Sequence, residues 1–174
     1  MIRIREATPE DAGRISRVRV DTWRSAYAGL IPRTHLDNLT YEEKEQFFRQ
    51  LIRSKKENFF VAEQEPGQVV GFASCGPERD GNQVYRGEIY AIYVLEAYQR
   101  QGIGHMLTMA IAEKLLQDGY TSMLVWVLAA NKYSHFYERL GGKKIGSKKY
   151  EITGSMLDLT AYGWTDLNTI IKPG

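Results

Sequence analysis

Gln99-Arg100-Gln101-Gly102-Ile103-Gly104 decides the fold, through what stands on either side of it. Upstream, Glu88-Ile89-Tyr90-Ala91-Ile92-Tyr93-Val94-Leu95 is a dense β-branched and aromatic run, which reads as a strand. Downstream, Met106, Leu107, Ala110, Ile111, Leu115 and Leu116 recur at helical spacing until Gly119. A glycine-rich turn between a strand and a helix leaves backbone N–H groups at the positive end of the helix dipole. Such a turn binds phosphate or pyrophosphate with few charged side chains. Gly102 and Gly104 are read as positions where a missing Cβ admits a bulky anion. The same pattern also serves as a plain tight connection. It lacks the third glycine and following acid of a Rossmann turn, and the Gly-Lys-Ser/Thr ending of a Walker loop.

A second segment narrows the reading. Thr121 to Leu128 is another buried strand, and it runs into Ala129-Ala130-Asn131-Lys132-Tyr133-Ser134-His135-Phe136-Tyr137-Glu138-Arg139-Leu140-Gly141. Strand, phosphate turn, helix, strand, then Asn-x4-Phe-Tyr-x-x-Leu-Gly resembles the GNAT superfamily of N-acetyltransferases, which use acetyl-CoA. Gln99–Gly104 is similar to the family's pyrophosphate loop, and Asn131–Gly141 to its following helix. The two motifs span roughly residues 88–142. The resemblance implies an α/β (α+β) fold with a mixed, mostly antiparallel sheet, helices on both faces and the order β-α-α-β-β-β-α-β-α-β-β. It further implies that the strands carrying Ile92 and Val125 splay apart around the cofactor's pantetheine arm.

The remaining chain fits that order. Thr8 caps a first helix, with Pro9 at its first position and Glu10 and Asp11 in its first turn; Ile15, Val18, Trp23 and Tyr27 follow, and Gly29 stops it. Thr40-Tyr41-Glu42-Glu43 is a capping box before a stripe of Phe47, Phe48, Leu51 and Ile52. Asn58–Gln64 and Val69–Gly76 read as strands joined by a Glu65-Pro66-Gly67-Gln68 turn, and Lys143–Tyr150 and Ser155–Tyr162 as the closing pair.

Bulk properties suit one domain over residues 1–174 with one sizeable core. Against 23 Lys and Arg stand 21 Asp and Glu, so a net charge of +2 calls for neither nucleic acid nor membrane as partner. Met1-Ile2-Arg3-Ile4-Arg5 alternates like a strand and lacks the apolar core of a signal peptide, and Cys75 alone suits a reducing cytosol. A cytoplasmic location is expected, and a homodimer is left open. His35 and His135 have no second ligand at metal spacing, so no metal is expected.

Moving an acetyl group from a thioester to an amine needs a neutral amine, a donor for the carbonyl oxygen, a proton for the leaving thiolate, and alignment. The resemblance makes Tyr137 the candidate general acid; the alternative is aromatic packing with Phe136. Glu88 is the candidate base, directly or through a water. Strand alternation places Glu88, Tyr90, Ile92 and Val94 on one face and Ile89, Ala91, Tyr93 and Leu95 on the other. Glu88 alternatively sits solvated or paired with Arg86. The resemblance implies that Ile92, Tyr93 and Val94 pair with the pantetheine amides, with a backbone N–H near Val94 on the carbonyl oxygen. It makes Gln99, Arg100, Gln101, Gly102, Ile103, Gly104 and His105 the pyrophosphate cradle. Asn131 is expected to bond the pantetheine or to hold the turn into the helix, two roles that can coexist.

Trp23 and Tyr27 stand four apart on one helix face, and with Leu30-Ile31-Pro32 they resemble the first-helix region that walls the acceptor side in the family, joined by Tyr90 and by Tyr41, Tyr150 and Tyr162; core packing is the alternative for the first pair. Cys75 reads as an inert strand thiol. One departure from the family pattern concerns the helix end. Gly142 stands where an aromatic is common, which removes an apolar anchor and predicts a looser turn. The expected activity is an acetyl-CoA-dependent N-acetyltransferase for a small primary amine, releasing CoA. Alternatives are a protein N-terminal or lysine acetyltransferase and a non-catalytic acyl-CoA-binding module.

Overall fold

The computed structural model describes residues 1–172, so the expected domain of residues 1–174 is followed as far as Lys172, and Pro173 and Gly174 lie outside the described residues. The strands are β1 (Arg3–Glu6), β2 (Asn58–Glu63), β3 (Val69–Pro77), β4 (Gly87–Val94), β5 (Met123–Leu128), β6 (Lys143–Ile152) and β7 (Ser155–Trp164). The helices are α1 (Ala12–Ala26), α2 (Arg33–Asp37), α3 (Tyr41–Ser54), α4 (Ile103–Gln117), α5 (His135–Arg139) and α6 (Asn168–Ile171). The strands form a 7-stranded sheet in the order β1-β2-β3-β4-β5-β7-β6. Its pairs are antiparallel except β4 with β5.

Helices cover both faces, as expected. Ile15 and Val18 of α1 and Phe48 and Ile52 of α3 pack on Phe59, Val61 and Phe72 on one side. Ile103, Leu107, Ile111 and Leu115 of α4 pack on Phe60, Ala73, Ile89 and Val125 on the other. The central strands β2 and β3 are therefore buried almost throughout, which is why they read as unbroken apolar runs. Phe47 departs from the expected stripe: it is 53% exposed, one residue off the face that Phe48 and Ile52 bury. The caps form as the sequence predicts. The Thr8 N–H donates to the Asp11 carboxylate at 2.8 Å, and Thr40 Oγ1 accepts the Glu43 N–H at 3.3 Å.

A bulge in β4 sets up everything that follows. Ile89 pairs with Cys75 and Ala91 with Ser74, so Tyr90 is left without a partner on β3. An extra residue bends a strand and steepens its twist. Past this point β4 leaves its other neighbour: β4 and β5 pair only at Gly87–Met123, Glu88–Leu124 and Ile89–Val125. The expected splay is therefore present and opens beyond Ile89.

The bulge also overturns the expected strand faces, because one extra residue inverts the alternation across it. Ile89, Ile92 and Val94 pack toward α4, whereas Ala91 and Tyr93 pack toward α1 and α3. Glu88, alternating with Ile89, belongs to the α1 and α3 face and not with Ile92 and Val94. Tyr90 joins it there: its hydroxyl lies 2.6 Å from where a Cβ on Gly76, the partner of Glu88, would stand.

The Gly141-Gly142 turn is likewise not loose. A Cβ on Gly142 would stand 2.7 Å from Cζ2 of Trp164 and 2.9 Å from the Tyr137 carbonyl oxygen. The indole of Trp164 fills that place, and its Nε1 donates to the Leu140 carbonyl at 3.0 Å. The aromatic anchor comes from β7 instead of from the turn itself.

Candidate active site

Gln99 ties the phosphate turn to the strand before it, donating from Nε2 to the Val94 carbonyl at 2.9 Å. Arg100 and Gly102 then take left-handed backbone angles, with φ of 62° and 82°. The Met106 N–H reaches back to the Gly102 carbonyl at 3.0 Å, closing the first turn of α4. The N–H groups of Ile103, Gly104 and His105 precede that bond and have no place in the helical ladder. No side chain caps them, in contrast to α3, where Thr40 does. Nothing lies within 4 Å of where a Cβ on Gly102 would be. An uncapped helix start with open space above its glycine fits an anionic diphosphate. Arg100, Gln101 and His105 are exposed around it, while the Ile103 side chain is buried.

Gly104 has another task than the one expected. The space left by its missing Cβ is taken by the Phe136 ring, whose Cζ would stand 3.0 Å from that Cβ. The glycine admits α5 against α4, and no anion is needed to explain it.

Phe136 seats its neighbour. Tyr137 is 7% exposed, stacked on Tyr162 at 5.8 Å and set edge-on against Phe136 and Trp164. The ring is packed, while its hydroxyl has no protein partner and is not sealed from solvent among the described residues. Burial, reinforced by Tyr93 and Tyr162, raises its pKa, so the phenol holds its proton at neutral pH. Asn131 holds its own turn, accepting the Tyr133 N–H at 2.9 Å, and the α5 N-cap is Ser134.

Glu88 is 2% exposed and is neither solvated nor paired with Arg86. Arg79 holds it, through its backbone N–H at 3.1 Å and through Nη2 at 2.6 Å. The same guanidinium lies 4.0 Å over the Tyr90 ring, and the Tyr90 hydroxyl donates to the Pro77 carbonyl. Tyr90 is thus committed to the bulge and to Arg79, and burial pushes its pKa up to about 12. Glu57 completes the group and was not among the expected residues. Burial, with Glu88 adding repulsion against the pull of Arg79, lifts its carboxyl to about 7. Neither Glu57 nor Arg79 stands in a motif; each follows or sits among other charges in a loop and is brought to Glu88 only by the fold.

Of the residues expected to wall the acceptor, Trp23 and Tyr27 meet edge to face at 5.0 Å. They pack with Val20, Ile31, Leu36, Leu128 and, from the β6–β7 hairpin, Ile152 and Leu157. Burial raises the Tyr27 pKa, and Tyr93 and Tyr137 add to it. Tyr162 stacks on Tyr137; the Tyr41 ring packs in the same cluster as Trp23 and Tyr27 while its hydroxyl donates to Asp21, and Tyr150 is 52% exposed. Cys75 is buried, with its thiol pushed up to about 12 by desolvation.

The Acetyltransferase (GNAT) family model matches residues 19–142, which run from the second half of α1 through the splay and the phosphate turn past Tyr137. The chain belongs to the GNAT family of acetyltransferases. It is 43% identical over 170 residues to the uncharacterized N-acetyltransferase YuaI of Bacillus subtilis (strain 168), covering 98% of this chain and 96% of that one. Its fold matches an N-acetyltransferase from Staphylococcus aureus Mu50 with a TM-score of 0.74 and 26% identity, over 96% of this chain and 99% of the other. It also matches yncA from Salmonella typhimurium, solved with its cofactor acetyl-CoA, with a TM-score of 0.72 and 22% identity over 96% and 94% of the two chains. Within this GNAT enzyme, no cluster of three or more His, Cys, Asp and Glu is placed to hold a metal among the described residues. No described helix is long and apolar enough to cross a membrane.

Proposed function

We propose that this GNAT acetyltransferase moves an acetyl group from acetyl-CoA to the nitrogen of a small primary amine, by direct attack within a ternary complex. The uncapped start of α4, opening onto the gap between β4 and β5, carries the reading. Ile103, Gly104 and His105 would hold the diphosphate through their N–H groups, with Gly102 giving it room and Arg100 adding positive charge. The free edge of β4 from Ile92 to Val94 would pair with the pantetheine amides as an added strand does, and an N–H there would take the carbonyl oxygen. The cofactor supplies an acetyl already activated as a thioester, so no covalent enzyme intermediate is required. Tyr137 keeps its proton at neutral pH and would give it to the departing sulfur. Glu88, or Glu57 beside it, would take the proton the amine releases, through water where the reach is too long.

A small acceptor is favoured by the β6–β7 hairpin, whose Ile152 and Leu157 close over Trp23 and Tyr27. Free-thiol release from acetyl-CoA, with polyamines, amino acids, aminoglycosides and short peptides supplied in turn, tests the proposal. Release that depends on one class of small amine is the expected result. Release only with peptides would move the acceptor to a protein, and saturable acetyl-CoA binding without release would leave a binding module.

A further inference from the structure

Three side-chain donors among the described residues are buried without a hydrogen-bond partner: Arg19 Nη1, Trp23 Nε1 and Trp126 Nε1. They lie on the α1 side of the sheet. Trp126 alternates with Leu128, which packs beside Trp23, and Arg19 and Trp23 are neighbours on α1. The Arg19 guanidinium lies 3.5 Å over the Trp23 ring and 5.5 Å from the Tyr93 ring, at the splayed part of β4.

Arg19 differs from the arginines whose guanidinium meets a buried carboxylate. Arg5 is bonded to Asp11 at 2.8 Å and to Glu63 at 3.1 Å, and Arg79 to Glu88 at 2.6 Å. For Arg19 no carboxylate contributes; desolvation lowers its pKa, with only Tyr93 and Tyr27 opposing. A buried cation without a counter-charge is costly, and a stacked aromatic face offsets only part of that cost. Two orphan donors side by side, one of them cationic, call for an anionic hydrogen-bond acceptor. A guanidinium fork matches a planar carboxylate, and a single fixed cation balances a monoanion.

We propose that Arg19, with Trp23 Nε1 beside it, binds a carboxylate of the acceptor, so that the acceptor is an amino acid or another small amine bearing a carboxylate. This rests on the acetyl-transfer reading above and narrows its acceptor. Tyr93 and Tyr27 then flank the body of the acceptor, between its carboxylate on Arg19 and its amine toward Tyr137.

The test pairs α-amino acids with their primary amides and decarboxylated amines, scored by thiol release. The acid should exceed its uncharged partners in kcat/KM by about 100-fold or more, because a site built around a charged hydrogen bond rejects the analogue lacking it. Arg19→Gln should erase that preference, Arg19→Lys should restore part of it, and the acetyl-CoA Kd of each variant should match the wild type, which also certifies folding. A second arm needs no turnover: N-acetyl amino acids and N-acetyl amines are titrated into the protein–CoA complex by calorimetry. Acid-selective binding lost in Arg19→Gln, with no thiol release from any amine, would sustain the carboxylate site and remove the transfer reading. Turnover with equal preference for acid and uncharged partner would overturn the site and leave transfer standing. Failure of every carboxylate compound to bind or react overturns it as well.

Discussion

The two halves of the cleft are made of different material. The proposed cofactor half, from Val94 through the first turn of α4, is mostly backbone: left-handed Arg100 and Gly102, three N–H groups outside the helical ladder, and side-chain ties from Gln99 and Gln101 back to main-chain carbonyls. The proposed acceptor half is side chain: Arg19, Trp23 and Tyr27 from α1 and its C-cap, Tyr93 from β4, and the hairpin that packs against Trp23 and Tyr27. A backbone cradle holds a group that is the same for every member of a family. Side chains from distant segments can be exchanged without touching the cradle, which suits an acceptor that differs between members.

Tyr137 stands where the halves meet, and the largest effect is expected there. Tyr137→Phe should lower kcat by about 100-fold or more while leaving the KM for acetyl-CoA within a few-fold, since a general acid contributes on that order. Steady-state kinetics with the best acceptor checks it. Unchanged kcat would make Tyr137 a packing residue and the junction purely structural.

Next in size is the support behind it. Gly142→Ala places a Cβ within 2.9 Å of the Tyr137 carbonyl, a backbone atom that cannot swing aside, and within 2.7 Å of Trp164. A destabilisation of about 2 kcal/mol is expected from such overpacking, read by thermal or denaturant unfolding. A variant as stable as the wild type would show that the Gly141–Gly142 turn yields, as the sequence alone suggests.

The cradle itself offers a sharper contrast. Gly102→Ala forces an alanine into φ of 82°, a strain of about 1 kcal/mol, and should raise the acetyl-CoA KM several-fold. Arg100→Ala and His105→Ala remove exposed side chains and should change that KM by less than about three-fold, as expected of screened surface charges. If the arginine variant proves the worse one, the cofactor half is not a backbone site.

This division also explains what was legible in the sequence. The phosphate turn, the strand before it and the Asn131–Gly141 segment are contiguous, so their spacing could be read directly. The face assignment of β4 failed because one bulge residue, Tyr90, leaves no trace in the apolar pattern: the run from Glu88 to Leu95 alternates equally well with or without it. Gly104 was misread because its neighbour, Phe136, lies over thirty positions away, on the order of a long-range contact that no local motif records. Arg19, Arg79 and Glu57 were passed over for a related reason. A charged residue on a helix or loop reads as solvated until the fold shows which ones lose their water.

Glu57 gives the smallest effect and the most direct view of that loss. Its carboxyl titrates near 7 in the folded protein because burial opposes its charge, with Glu88 adding repulsion and Arg79 the counter-pull. A raised folded pKa means that the unfolded chain releases the proton first. The protein is therefore most stable, with respect to this group, below the unfolded value of 4.5, and loses that contribution as the pH climbs through about 7. Glu57→Gln removes the titration, so its Tm should exceed the wild type at pH 8 and match it near pH 5. The gap should be of order 1 kcal/mol, since the group is only half-buried and solvent screens it. The activity profile then separates the two carboxylates. If Glu57 takes the proton of the amine, the rise of kcat/KM near neutral pH should vanish in Glu57→Gln and survive in Glu88→Gln. If Glu57 is only a strained neighbour, the profile keeps its shape and the stability gap alone remains.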